Sequence, residues 1–329
     1  MGVRLFFVIS GYLITSALLE RRGAPVARTY GAFLWRRFLR LFPPFGLLLG
    51  ILWYYDVSGI RQYILWHLSY LSNVLFVQKG DFVPWVTAHY WSLSVEEQFY
   101  ILWPFFVLAP SLIAVQRLII CTIFVGIAFK AVFIAYDFSD GWLYYLPFTS
   151  LDALGCGALV AFWKRYRCTP RDLLLWGPLS AAVLMVMVYS ASMRQIDFRV
   201  WFSVAQVAIL PMMMVAVFEA SAAKPYDLWR YLCHPLLVGL GRISYGIYLY
   251  HMAVLALCMW LGSQIGIDVP AIGWGRFLLV AAITVIVAWL SFVLIEAPLR
   301  RFKRLLPYPP RDEGRDPDGS FALAVRPSV

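Results

Sequence analysis

The sequence predicts an all-α polytopic membrane protein, and three observations carry that reading. Apolar residues make up 62% of the 329 and charged residues 14%, against about 45–50% and about 25% in soluble domains. A soluble globule of this length would have too few charges to cover its surface. Mean hydropathy is +0.73, which also excludes a disordered chain. The net charge is +10, but the basic residues fall in bursts between apolar runs. That is the pattern of loops flanking membrane helices rather than of a nucleic-acid-binding stripe, so no nucleic-acid partner is expected.

Stretches of about 17–25 mainly apolar residues are candidate spans. Nine fit: 3–19, 41–57, 98–114, 118–136, 146–163, 173–191, 201–218, 236–261 and 275–295. A tenth stretch, 63–78, contains His67, Ser69, Ser72, Asn73 and Gln78, which suits an interfacial or re-entrant helix. From residue 306 the composition turns to Pro, Gly, Arg and Asp. The expected organisation is one transmembrane domain, 1–305, followed by a short disordered tail, 306–329. The five cysteines are scattered without CxxC spacing, so neither a disulfide framework nor a metal site is expected.

Orientation follows from three basic clusters: Arg21 to Arg40, Lys164 to Arg171, and Arg300 to Arg304. With nine spans, and with 63–78 not crossing, all three fall on one face, which the positive-inside bias makes cytoplasmic. The C-terminus is then cytoplasmic. An odd count would leave Met1 outside, so a further span ahead of it is expected.

Three segments carry unusual polar content. In the first, Arg36, Arg37 and Arg40 precede Pro43-Pro44. Arg36 and Arg40 are four apart and share a helix face, and the proline pair is expected to break or kink the helix. The guanidiniums suit lipid phosphates at the interface or a phosphorylated ligand. In the second, Glu96 and Glu97 follow His89, Tyr90, Trp91, Ser92 and Ser94. An acid inside a membrane marks a functional site. The alternative is a helix start, with Ser94 capping and Glu97 three residues on. In the third, Ser244, Tyr248 and His251 form a polar stripe on an apolar helix, lining a cavity or serving structure. Lys130, Asp152 and Glu296 are further polar residues in or beside spans, ion-paired or snorkelling.

These segments, in this order, resemble the acyltransferase-3 family of membrane O-acyltransferases. The matching pieces are GVRLFFVISGYLIT at 2–15, RRFLRLFPP at 36–44 and HYWSLSVEEQFYILWPF at 89–105. They continue with LDALGCGALVA at 151–161, LGRISYGIYLYH at 240–251 and FVLIEAPLRRFKR at 292–304. Three differences stand out. The family opens with a helix bearing an arginine and a catalytic histidine, which this sequence does not include, so the intact family is expected to have ten spans. Arg4 stands where an acid is common, and Ser150 where an arginine often precedes the LDAL motif.

The resemblance implies transfer of an acyl group, normally acetyl, from cytoplasmic acyl-CoA to a hydroxyl of a cell-envelope or lipid-linked glycan, in a bacterial inner membrane. The partners it implies are acyl-CoA as co-substrate, the glycan or glycolipid acceptor, and membrane lipid. Arg36, Arg37 and Arg40 would hold the CoA phosphates. Glu96 would orient or balance the base, with His251 a second candidate for that base. His89, Tyr90, Trp91 and Ser92 would bind the acceptor. The rival readings are a catalytically inactive relative and a transporter of a lipid-linked sugar.

Overall fold

The computed structural model describes residues 2–109, 111–167, 198–221, 232–266 and 273–310, with residues 182 and 185. The candidate span 173–191 otherwise lies outside them. The described residues form helices and turns with no strand, as expected of segments that must satisfy their backbone internally.

The helices are α1 (Gly2–Leu19), α2 (Val26–Tyr54), α3 (Ile64–Leu68), α4 (Ser72–Lys79), α5 (Tyr90–Leu108) and α6 (Leu112–Ala135). They continue with α7 (Asp140–Tyr145), α8 (Leu151–Tyr166), α9 (Phe198–Ala208), α10 (Leu210–Ala220), α11 (Pro235–Gln264) and α12 (Trp274–Ser291). A π-turn, Phe292–Glu296, and short helical turns to Leu305 follow.

Contacts that advance in step fix the helix directions. Ser10 meets Tyr100, Thr15 meets Trp103 and Arg22 meets the Val107 carbonyl, so α1 and α5 are parallel. Phe33 packs on Tyr100 and Phe45 on Tyr90, so α2 opposes α5. Lys130 pairs with Asp152, and Gly155 lies against Ile119 and Ile123, so α6 opposes α8. Arg4 pairs with Asp152 and Gly157 abuts Val8, so α8 runs with α1. α1, α2, α5, α6 and α8 therefore alternate in direction, and the segment holding α3 and α4 adds no crossing.

α1, α6 and α8 approach closely because glycines remove the side chains between them. A Cβ on Gly157 would lie 1.9 Å from the Val8 carbonyl oxygen, and one on Gly11 2.1 Å from that of Leu154. Such small-residue contacts hold membrane helices together where no hydrophobic drive is available. Arg4 and Lys130 both reach Asp152 Oδ2 at 2.6 Å, binding all three helices through one buried carboxylate.

The expected spans 3–19, 118–136, 201–218, 236–261 and 275–295 have counterparts, and several local expectations are corrected. Among the described residues five helices are long and apolar enough to cross a membrane: Gly2–Leu19, Leu112–Ala135, Phe198–Ala220, Pro235–Gln264 and Trp274–Leu305. A sixth is added if Val26–Tyr54 and Val57–Leu68, bent by 107°, form one span. α5, of 19 residues, and α8, of 16, are not among these and are largely buried. The Pro43-Pro44 pair does not end α2, which continues to Tyr54; α11 packs there, with the Tyr245 hydroxyl donating to the Leu41 carbonyl at 2.8 Å. The expected single helix 63–78 is two, because the chain turns at Tyr70 with φ of 54°. α5 begins at Tyr90, and Ser94 donates to the Tyr90 carbonyl at 3.0 Å. Ser94 is thus not a cap, and Glu96 lies inside the helix. Residues 306–310 are described, with Pro309 buried; the rest of the expected tail, 311–329, lies outside the described residues.

Candidate active site

Glu96 faces the interior where α1, α2 and α5 meet, and only 5% of it is exposed. One helical turn on, Tyr100 donates its hydroxyl to the Glu96 carboxylate and stands 2.6 Å from Ser10 Oγ on α1. The Arg37 guanidinium of α2 lies 4.6 Å from the centre of the Tyr100 ring. A cation over an aromatic face is attracted by the ring quadrupole, so Arg37 stands one ring away from the acid. Three helices thus surround one buried carboxylate with a donor, a hydroxyl and a positive charge.

A second cluster lies one turn back along α5, on the Glu96 face, since Ser92 and Glu96 are four apart. Ser92 and the Tyr248 hydroxyl of α11 are hydrogen-bonded to each other, and their oxygens lie 3.0 and 3.1 Å from the His89 carbonyl oxygen; with one proton each, one of them donates to that carbonyl and the other to its neighbour. His89 Nε2 lies 3.2 Å from the Leu249 carbonyl oxygen, and His251 Nδ1 lies 2.7 Å from that of Tyr248. A carbonyl oxygen only accepts, so each of those nitrogens carries the proton. In the neutral rings His89 Nδ1 and His251 Nε2 then hold lone pairs. His89 Nδ1 is buried and without a hydrogen-bond partner. The ring centres are 4.5 Å apart. His251 also borders a cavity of about 630 Å³ between α11 and α12, whose other walls include Trp274, Arg276 and Phe277.

The third element is basic. Arg37 and Arg300 lie in the electrostatic neighbourhood of the exposed Arg40, and no carboxylate forms an ion pair with Arg36, Arg37, Arg40 or Arg300 among the described residues. The C-terminal segment crosses this face, where Trp35 donates to the Phe302 carbonyl at 2.9 Å. The Arg21 and Arg36 guanidiniums both lie over the Tyr308 ring, at 4.6 and 4.5 Å.

Residues 1–296 match the family described as an acyltransferase domain, the acyltransferase-3 family. The chain belongs to it. Among the relatives of this acyltransferase-3 member, the peptidoglycan O-acetyltransferase OatA of Listeria monocytogenes is 30% identical over 92% of this chain and 51% of its own length. A Staphylococcus aureus protein provisionally named as an O-acetyltransferase is 28% identical over 92% of this chain and 52% of its own. The YrhL protein of Bacillus subtilis, provisionally named as a peptidoglycan O-acetyltransferase, is 30% identical over 91% and 50%. The chain therefore spans about half the length of the curated relatives it matches. No solved structure matches it significantly.

Within this acyltransferase-3 chain the fold brings together some of the residues singled out from sequence and separates others. Arg37 joins Glu96 through Tyr100, Arg40 lies within electrostatic reach of Glu96 and Tyr100 as well as of Arg300, and Arg36 faces Tyr308 of the C-terminal segment. His89, Ser92 and His251 meet, with Tyr248 as their link. Tyr90 presents no face to an acceptor: it is 1% exposed and packed among Phe45, His67 and His89. Trp91 turns the other way, onto Phe7 and Tyr145. Ser244 is exposed and bonds its own helix, so it leaves the stripe. Ser10 and Tyr100 were not singled out from sequence. The four-residue spacing from Glu96 pointed to Tyr100, but nothing local pointed to Ser10.

Proposed function

We propose that the protein is a membrane O-acetyltransferase that moves an acetyl group from acyl-CoA to a hydroxyl of a cell-envelope glycan. The observation that carries this reading is the buried Glu96 carboxylate, held by Tyr100 and Ser10 with Arg37 beside it. An ionisable group placed at such cost inside a bundle is expected to serve function. The names of the relatives favour a peptidoglycan acceptor.

In this mechanism the basic face of α2 holds the donor's phosphates, with Arg37 nearest the acid and Arg36 and Arg40 around it. A neutral alcohol attacks a thioester poorly, so a base must take its proton. His251 is that base, through its free Nε2 at the cavity wall, with His89 beside it. The acceptor oxygen bonds to the acetyl carbon, the carbon–sulfur bond breaks, and the thiolate leaves, to be reprotonated as CoA. Ser92 and Tyr248 connect the histidine pair to the helix turn carrying Glu96, which keeps the charge of this region balanced through the reaction. Arg36, Arg37 and Arg40 lie on the cytoplasmic side in this reading, and the C-terminus with them.

The experiment is acetyl transfer by purified protein in lipid nanodiscs, from labelled acetyl-CoA to soluble peptidoglycan fragments. Wild-type protein labels the glycan. Glu96→Gln and His251→Gln, folded as judged by thermal melting, lower turnover by about 100-fold or more, the scale of a lost acid–base group. Turnover by both variants near the wild-type rate would overturn the reading.

A further inference from the structure

Tyr308 is held in an unusual way. Two guanidiniums from separate segments, Arg21 beyond α1 and Arg36 on α2, lie 4.6 and 4.5 Å from the centre of its ring. Its hydroxyl makes no hydrogen bond among the described residues, and its ring also rests on the α1 side of the core. Arg36 Nε is buried and without a hydrogen-bond partner. Arg37 and Glu20 are the other charged groups within electrostatic reach of the ring. Lys303 belongs to the same surface, with Arg36, Arg37, Arg40 and Arg300 around it.

These positions describe a seat for a flat ring bordered by cations. Guanidiniums stack on planar π-systems and bind phosphates in bidentate fashion. A ligand that joins a planar heterocycle to several phosphates satisfies both kinds of contact, whereas a lipid headgroup satisfies only one. We infer that Arg21 and Arg36 form the seat for the adenine ring of the acyl donor, and that Tyr308 occupies this seat until the donor displaces it. The inference rests on the acyl-CoA reading above. It assigns the C-terminal segment, Leu305 to Pro310, to donor binding, with Lys303 and Arg300 placed to meet the phosphates as the segment moves aside.

The test is calorimetric binding of CoA, adenosine 3′,5′-bisphosphate, pantetheine and pyrophosphate to the intact protein in nanodiscs. Tyr308→Leu, which keeps apolar bulk but removes the ring, binds CoA and the bisphosphate about three- to tenfold more tightly. This is the range expected on releasing a competing cation–π contact. Arg21→Gln and Arg36→Gln weaken both nucleotides by a similar factor and leave pantetheine unaffected. Tyr308→Leu binding CoA no more tightly than wild type would make the ring a structural strap and overturn the seat. The two arginine variants, which leave Tyr308 in place, decide the question if Tyr308→Leu fails to fold: nucleotide affinity unchanged in both would overturn the seat. Equal weakening of pyrophosphate and bisphosphate would assign the face to phosphate alone, also against the seat. Failure of wild type and all variants to bind CoA would instead remove the donor reading itself.

Discussion

Tyr100 stands 2.6 Å from Ser10 across the α1–α5 contact while donating its hydroxyl to Glu96. The acid is therefore positioned by a residue 86 places away in sequence as well as by its own helix. Removing the Tyr100 hydroxyl leaves a buried carboxylate short of a donor, which costs more than the lost bond itself. Tyr100→Phe is expected to lower turnover by about tenfold, with Ser10→Ala a smaller loss. Double-mutant analysis should find the two effects less than additive, because they act on one network. Full additivity would mean that Ser10 and Tyr100 act separately.

Asp152 receives both Arg4 and Lys130 at 2.6 Å with none of its surface exposed. Asp152→Asn leaves two cations buried beside each other. Breaking a buried pair in this way costs about 3–5 kcal/mol, so the variant should melt at much lower temperature or fail to accumulate. Adding Lys130→Met, which removes one excess charge, should restore part of the melting temperature. A double variant no more stable than the single one would show that charge is not what holds this contact.

The α1–α8 interface should be intolerant of any side chain at its glycines. Gly157→Ala places a carbon where the Val8 carbonyl oxygen is 1.9 Å away, and Gly11→Ala meets Leu154 similarly. The helices must separate to admit either. Overpacking of this kind costs about 1–3 kcal/mol, while Gly50→Ala, with nothing within 4 Å, should be neutral. Thermal melting of the three variants orders them, and an undisturbed Gly157→Ala protein would contradict the helix spacing.

His89 and His251 face each other with ring centres 4.5 Å apart. If His251 Nε2 takes the acceptor's proton, His251→Gln should lower kcat while leaving the KM for the acetyl donor near wild type, since the basic face lies elsewhere. His89→Gln should have the lesser effect, because its free nitrogen is buried. A change confined to donor KM in His251→Gln would move this residue from proton transfer to donor binding.

The sequence revealed the class well because apolar runs are long and basic residues sit between them. It was weaker wherever one segment's state depends on another. Ser94 followed by Glu97 reads as a capping box, yet α5 starts at Tyr90 and the Ser94 hydroxyl turns back to its own helix. Pro43-Pro44 reads as a break or a kink, and α2 continues through the pair without ending. Tyr90 reads as an exposed aromatic near a helix mouth but is enclosed by α2 and the α3 segment. In lipid, apolar residues face outward as well as inward, so periodicity does not say which side of a helix is covered. The pairing of Arg4 with Asp152, and of Ser10 with Tyr100, depends on chain crossings that no local pattern encodes.

The role of Glu96 in acetyl transfer is tested head-on by the acetyl content of the glycan. Reconstituted wild-type and Glu96→Gln proteins are incubated with labelled acetyl-CoA and peptidoglycan fragments. Labelled glycan is expected from wild type and, from a Glu96→Gln protein with a normal melting temperature, at least about 100-fold less. Equal labelling by the two proteins would contradict a catalytic site built around this carboxylate.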